Sequence, residues 1–194
     1  QRDAAGFSQS TMPVTTCQEW GVLAGVNNLL PSYAAMQAAL LNLMEACEGF
    51  VYANMYAYFD PKITARVNPK TTKTTFTRAV TNSMSGTIAA LRTAFSAQGL
   101  STAIRIGETG WPTSGTQPAQ PAPIATVQFA KWHAAAMKAW LPFPGFLFEA
   151  YDEPWKGDQA GDNSEAFFGI WTASGTSSEP NNYNLTGWTQ KYPV

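Results

Sequence analysis

The sequence predicts an α/β fold in which four strand-helix units lay their strands in parallel. Three observations predict it. Short β-branched or aromatic runs alternate with helical stripes of apolar residues, and such alternation means parallel strands joined by right-handed crossovers. Two runs end alike, in a carboxylate followed by an aromatic turn: Ile104-Arg105-Ile106-Gly107-Glu108-Thr109-Gly110-Trp111-Pro112 and Phe146-Leu147-Phe148-Glu149-Ala150-Tyr151-Asp152-Glu153-Pro154-Trp155-Lys156. In barrels of parallel strands that edge holds catalytic groups. No GxGxxG and no phosphate loop is present, which argues against a nucleotide-binding sheet. With 194 residues the chain suits one domain, 1–194, with a sizeable core.

Residues 1–10 are small and polar and read as a loop or helix tail. Met12-Pro13-Val14-Thr15-Thr16 reads as the first strand, with Pro13 tolerable only near its start. Gln18 to Pro31 reads as a loop. Ser32 is a good N-cap for a helix whose stripe is Met36, Leu40, Leu43 and Cys47, ended by Gly49. Phe50 to Phe59 is the second strand, stopped by Asp60-Pro61. Asn68-Pro69 opens a turn. Phe76, Val80, Met84, Ile88, Leu91 and Phe95 then mark a long helix closed by Gly99. Thr102 to Ile106 is the third strand, and the Pro-, Gly- and Gln-rich stretch Thr113 to Pro123 is a loop. Ile124, Val127, Ala130, Ala134 and Met137 give the third helix, and Phe143 to Phe148 the fourth strand. A polar loop, a short apolar stretch from Phe167 to Trp171 and a Gly/Ser/Asn-rich tail complete the chain.

Twelve basic and 13 acidic residues give a net charge of −1. A nucleic-acid or anionic-membrane surface would need a basic excess. No run approaches a membrane span. Few charges and 13% aromatic residues suit a secreted carbohydrate-active protein acting outside the cell or at a cell wall. The strand assignment puts Cys17 past the end of one strand and Cys47 before the next, roughly a strand length apart and beyond the ~7 Å bridging limit, so no bond between them is expected. Asn184-Leu185-Thr186 is a glycosylation sequon, meaningful on a eukaryotic secretory route.

His133 is the sole histidine and lies in a helix. No metal, no cofactor and no Ser-His-Asp triad is expected, since no GxSxG elbow accompanies it. What remains is carboxylate chemistry. Retaining glycoside cleavage needs two carboxyl groups about 5–5.5 Å apart, one a nucleophile and one an acid/base. The acid needs a desolvating pocket, and sugar rings need flat apolar platforms. Glu108 sits where a buried strand stops, although a turn-stabilising acid is the alternative. Tyr56, Tyr58, Trp111 and Trp155 fall at C-terminal strand ends or just after them. Core packing is the alternative role, most of all for Tyr58.

Gly107-Glu108-Thr109-Gly110-Trp111-Pro112 resembles the end of the seventh strand of the family 17 glycoside hydrolases, which are endo-β-1,3-glucanases and β-1,3-glucanosyltransferases on a (β/α)8 barrel. Phe148 to Lys156, followed by Phe168-Gly169, is similar to the end of the eighth strand and beyond. Asn54-Met55-Tyr56-Ala57-Tyr58-Phe59 resembles the sixth, with Ala57 in place of a proline, and Pro13 to Thr16 the fifth. The resemblance implies strands five to eight of a TIM barrel, as a half barrel or fragment. It implies Glu108 as nucleophile and Tyr56 as the group orienting it. It places Tyr58, Trp111 and Trp155 on the sugar, with Glu149, Glu153 and Lys156 as a polar network beside it. The implied substrate is β-1,3-glucan. The family's proton donor belongs to an Asn-Glu pair, and this sequence has none. The acid is then expected from an N-terminal half chain, or from copies of the same chain. The competing expectation is an inactive glucan-binding or self-assembling protein.

Overall fold

The computed structural model describes residue 6 and residues 15–24, 49–116, 124–140, 145–156, 163–174 and 184–194. The expected Ser32–Cys47 helix, residues 12–14 of the first strand, residues 117–123 of the long loop and residues 143–144 of the fourth strand lie outside them. The chain forms two compact units. The first comprises Gln1–Met55, Ser85–Glu108 and Phe143–Gly145, and the second Tyr56–Met84, Thr109–Pro142 and Phe146–Val194.

The first unit is built on a parallel sheet of β1 (Cys17–Glu19), β2 (Phe50–Asn54) and β3 (Ala103–Glu108), in that order. The first strand lies later than Met12–Thr16 predicts. Cys17 is inside it, opposite Tyr52, and among the described residues of the expected run Thr16 joins the ladder, its carbonyl accepting the Tyr52 N–H. A short helix α1 (Trp20–Ala24) follows where a loop was expected, with Glu19 Oε2 accepting the Val22 N–H at 3.0 Å. The second strand stops at Asn54 rather than Phe59. Its core face is Val51 and Ala53, matched on β3 by Ile104 and Ile106, and all four are buried. On the opposite face the Arg105 guanidinium lies 3.8 Å over the Phe50 ring.

The end of β3 carries an irregularity. Ala53 pairs with Ile106, but Asn54 pairs with Glu108, so Gly107 is an extra residue. Side chains alternate along a strand, and one inserted residue turns those after it to the other face. Without the insertion Glu108 would follow Ile104 and Ile106 onto the apolar face. With it, Glu108 shares the face of Asn54. The position has to be glycine, because a Cβ there would meet Cys17 Sγ at 2.3 Å and Asn54 Oδ1 at 2.6 Å.

In the second unit, Ala57–Phe59 is a 3-10 turn and Asp60 caps α2 (Pro61–Thr64), accepting the Lys62 N–H at 2.9 Å and the Ser83 hydroxyl at 2.6 Å. Asn68 makes the expected turn, its Oδ1 accepting the Lys70 N–H. Thr72 then caps the long helix α3 (Lys73–Ala97). Five of the six residues of the predicted stripe, Phe76, Val80, Met84, Leu91 and Phe95, are buried, and Ile88 is half-buried. In the first unit, Gly99 (φ 74°) closes this helix. Its N–H reaches Ser96 O while Leu100 N–H reaches Phe95 O, the paired bonds that a left-handed residue at this point allows.

Helix α4 (Val127–Trp140) begins one turn later than expected. Val127 is 42% exposed, and the buried side is Phe129, Ala130, His133, Ala134 and Met137. Among the described residues of the expected fourth strand there is one parallel bridge, Leu147 to Thr109. The tail forms an antiparallel hairpin, β4 (Trp171–Ser174) with β5 (Asn184–Gln190), which places the sequon asparagine at the start of a strand. Among the described residues no helix is long and apolar enough to cross a membrane.

Candidate active site

Glu108 is the last residue of β3, half-buried, with its carbonyl accepting the Met55 N–H at 2.8 Å. Its side chain reaches the electrostatic surroundings of Cys17. The Cys17 thiol is held above its usual range, first by burial and second by the Glu108 carboxylate. That thiol is free and donates to Asn54 Oδ1 at 2.9 Å. Cys47, the other cysteine, lies outside the described residues.

The Thr-Gly-Trp-Pro turn after Glu108 is anchored within the second unit. Thr109 is buried, its N–H donating to Phe146 O and its carbonyl accepting from Phe148 N–H. Gly110 lets this backbone approach closely, since a Cβ there would lie 2.1 Å from Phe148 O. Thr113 binds Phe167 O through both its N–H and its hydroxyl.

Two expected sugar platforms are corrected here. Trp111 is 1% exposed, its indole N–H donates to Ile124 O at 2.8 Å, and its ring meets Tyr58, Phe76 and Phe129. Tyr58 is wholly buried against Phe59, Trp111 and Phe168. A ring enclosed on its faces cannot stack on a sugar, so both are core residues. Tyr56 and Trp155 are half-buried. Tyr56 meets Phe59, Phe148 and Phe168 edge-on, and Trp155 lies in the 3-10 turn Pro154–Lys156.

Glu149, Glu153 and Lys156 do come together. Main-chain bonds lace 149–153 to 166–171: Glu149 N–H to Phe168 O, Ile170 N–H to Glu149 O, Trp171 N–H to Ala150 O and Glu153 N–H to Ala166 O. The Phe148–Glu149 peptide is cis. Lys156 Nζ pairs with Glu153, lies 3.9 Å from Glu149 Oε2, and sits 4.7 Å over the Phe148 ring.

Sequence reasoning passed over the residue between those acids. Asp152 is 8% exposed and accepts from Lys191 Nζ at 2.5 Å and from the Gly169 N–H at 3.0 Å, while Lys191 also donates to Thr113 at 2.6 Å. Burial raises Asp152 against the opposing pull of Lys191, and burial lowers Lys191 against the opposing pull of Asp152. Among the described residues no group of three or more His, Cys, Asp or Glu is placed to hold a metal.

His133 is buried with Nε2 3.4 Å from the Thr109 hydroxyl, and burial pushes its pKa down to about 3 from a usual 6.5. A neutral imidazole is therefore part of the native packing. Between pH 6.5 and about 3 the unfolded chain takes up a proton that the folded chain refuses. Stability from this group is complete above pH 6.5 and declines as pH falls through that window, by at most about 1.4 kcal/mol per pH unit. Urea unfolding at stepped pH should show a shallower acid slope for His133→Gln than for the native chain. Parallel slopes would contradict this.

The model of the glycosyl hydrolases family 17 matches residues 6–185. A glucan 1,3-beta-glucosidase of Candida albicans is 30% identical over 180 residues, covering 90% of this chain and 50% of its own. An endo-laminarinase from Formosa Hel1_33_131 shares the fold with a TM-score of 0.67 at 19% identity, over 88% of this chain and 46% of its own. An active-site mutant of a Rhizomucor miehei beta-1,3-glucanosyltransferase, solved with laminaritriose, matches with a TM-score of 0.51 at 17% identity, over 88% and 48%. The chain spans about half the length of the curated relatives it matches.

Proposed function

The chain belongs to the glycosyl hydrolases family 17, and on that premise we propose that it carries the nucleophile of a retaining β-1,3-glucan hydrolase or glucanosyltransferase. The observation behind this reading is the inserted Gly107, which turns Glu108 away from the apolar face at the C-terminal edge of a parallel sheet. Glu108 attacks the anomeric carbon, the bond to the leaving oxygen breaks, and a glycosyl-enzyme forms. The family resemblance gives Tyr56 the role of orienting the carboxylate and Trp155 that of the sugar platform. Glu149, Glu153 and Lys156 form the supporting polar network. Lys156 pairs with Glu153 and lies 3.9 Å from Glu149 Oε2, an arrangement suited to support. The proton donor is not among the 194 residues, since no Asn-Glu dipeptide is present, and on this reading the chain supplies strands five to eight of a (β/α)8 barrel. The substrate is β-1,3-glucan, met outside the cell or at a cell wall.

A nucleophile without its acid handles only substrates whose leaving group needs no proton. The chain should therefore leave laminarin almost untouched but release dinitrophenolate from 2,4-dinitrophenyl β-laminaribioside, in a burst near one equivalent. Glu108→Gln should slow that burst roughly 1,000-fold. A Glu108→Gln burst as fast as the native one refutes the assignment.

A further inference from the structure

We propose that Cys17 is a positioning residue for Glu108, acting through the Asn54 amide, an inference that rests on the reading of Glu108 as nucleophile. Across the sheet Glu19, Asn54 and Glu108 stand in one row, and Cys17 and Tyr52 in the row beside it. Asn54 therefore has a carboxylate neighbour on each side. The Glu19 carboxylate is engaged with helix α1, where it accepts the Val22 N–H. The Asn54 oxygen is taken by the Cys17 thiol at 2.9 Å.

An amide has one acceptor end and one donor end. With its oxygen fixed on the thiol, the end left to meet Glu108 is the NH2, and a carboxylate can only accept. Neighbouring strands of a sheet lie about 4.7–4.9 Å apart, within reach of such a contact. Without the thiol proton the amide loses the partner that holds it. It can then turn its oxygen toward Glu108, oxygen against oxygen. The thiol is kept protonated because burial and the Glu108 charge both raise it. Gly107 adds a second constraint, since any Cβ at that position would push into the Cys17–Asn54 contact.

The test is the dinitrophenolate burst from 2,4-dinitrophenyl β-laminaribioside, measured for four variants. Cys17→Ala should lower the burst rate constant about tenfold at unchanged sugar affinity. Cys17→Ser keeps a donor and should stay within about twofold of native. Asn54→Ala should fall as far as Cys17→Ala, and the double variant no further. A native rate in Cys17→Ala, or equal losses in the Ala and Ser variants, overturns the proposal. A second measurement needs no activity. Iodoacetamide labelling of Cys17, mapped by peptide mass across pH, should shift to lower pH in both Asn54→Ala, which removes the acceptor of the thiol proton, and Glu108→Gln, which removes the neighbouring charge. Unmoved midpoints overturn the positioning contacts whatever the activity. Moved midpoints with no Glu108-dependent burst in the native chain keep the contacts and refute only the nucleophile reading, and the catalytic role falls with it.

Discussion

Lys191→Ala should destabilise the protein by about 3–5 kcal/mol in urea unfolding, the usual consequence of stranding one partner of a buried ion pair. Lys191 Nζ reaches Asp152 at 2.5 Å and Thr113 at 2.6 Å, and its own N–H donates to Ile170 O. One side chain thus joins the end of the tail hairpin to the turn after Glu108 and to the segment bearing the acidic network. Burial moves Asp152 and Lys191 each toward its neutral form, so the pair yields little net stability while intact. Losing one partner is different, because a charge then stays buried alone. Asp152→Asn with Lys191→Met keeps an oxygen for the Gly169 N–H and removes both charges. It should recover most of the loss. Lys191→Ala unfolding at the native urea midpoint would contradict this account.

Trp111→Ala should cost about 3–5 kcal/mol, as emptying a large core site does. The indole packs between Tyr58 and Phe76 with ring centroids at 5.2 and 4.8 Å, and it satisfies the Ile124 carbonyl. Truncation leaves a cavity and a buried acceptor without its donor. Trp111→Phe should fold with a smaller loss and bind laminarin with native affinity. A stable Trp111→Ala that has lost laminarin binding would return Trp111 to the sugar.

How much of this was legible differs by element. The long helix was readable to its last turn, because Phe76 to Phe95 repeat at helical spacing and Gly99 supplies the left-handed stop. Glu108 at a strand end was readable from Ile104-Arg105-Ile106-Gly107. The direction of its side chain was not, because an inserted residue is defined by pairing with β2 and one strand's sequence does not show it. Trp111 misled for a related reason. A tryptophan in a Gly-Trp-Pro turn reads as surface, but Thr109 and Thr113 tie that turn down to Phe146, Phe148 and Phe167, and the ring goes inward. The acidic network was foreseen as a group, yet its buried neighbour Asp152 was not. Its partner lies 39 residues away in a tail whose polar composition gave no sign of a hairpin. The fourth strand, expected across Phe143 to Phe148, has only one bridge among the described residues.

The central claim is that Glu108 forms a covalent bond to the sugar. Incubation with 2,4-dinitrophenyl 2-deoxy-2-fluoro-β-laminaribioside, in which the fluorine slows turnover of the adduct, followed by intact-mass measurement and peptide mapping, tests it. The account predicts one added fluoroglycosyl mass per chain, located on Glu108 and absent from Glu108→Gln. An adduct on Glu149 or Glu153, or one that persists in Glu108→Gln, would contradict it.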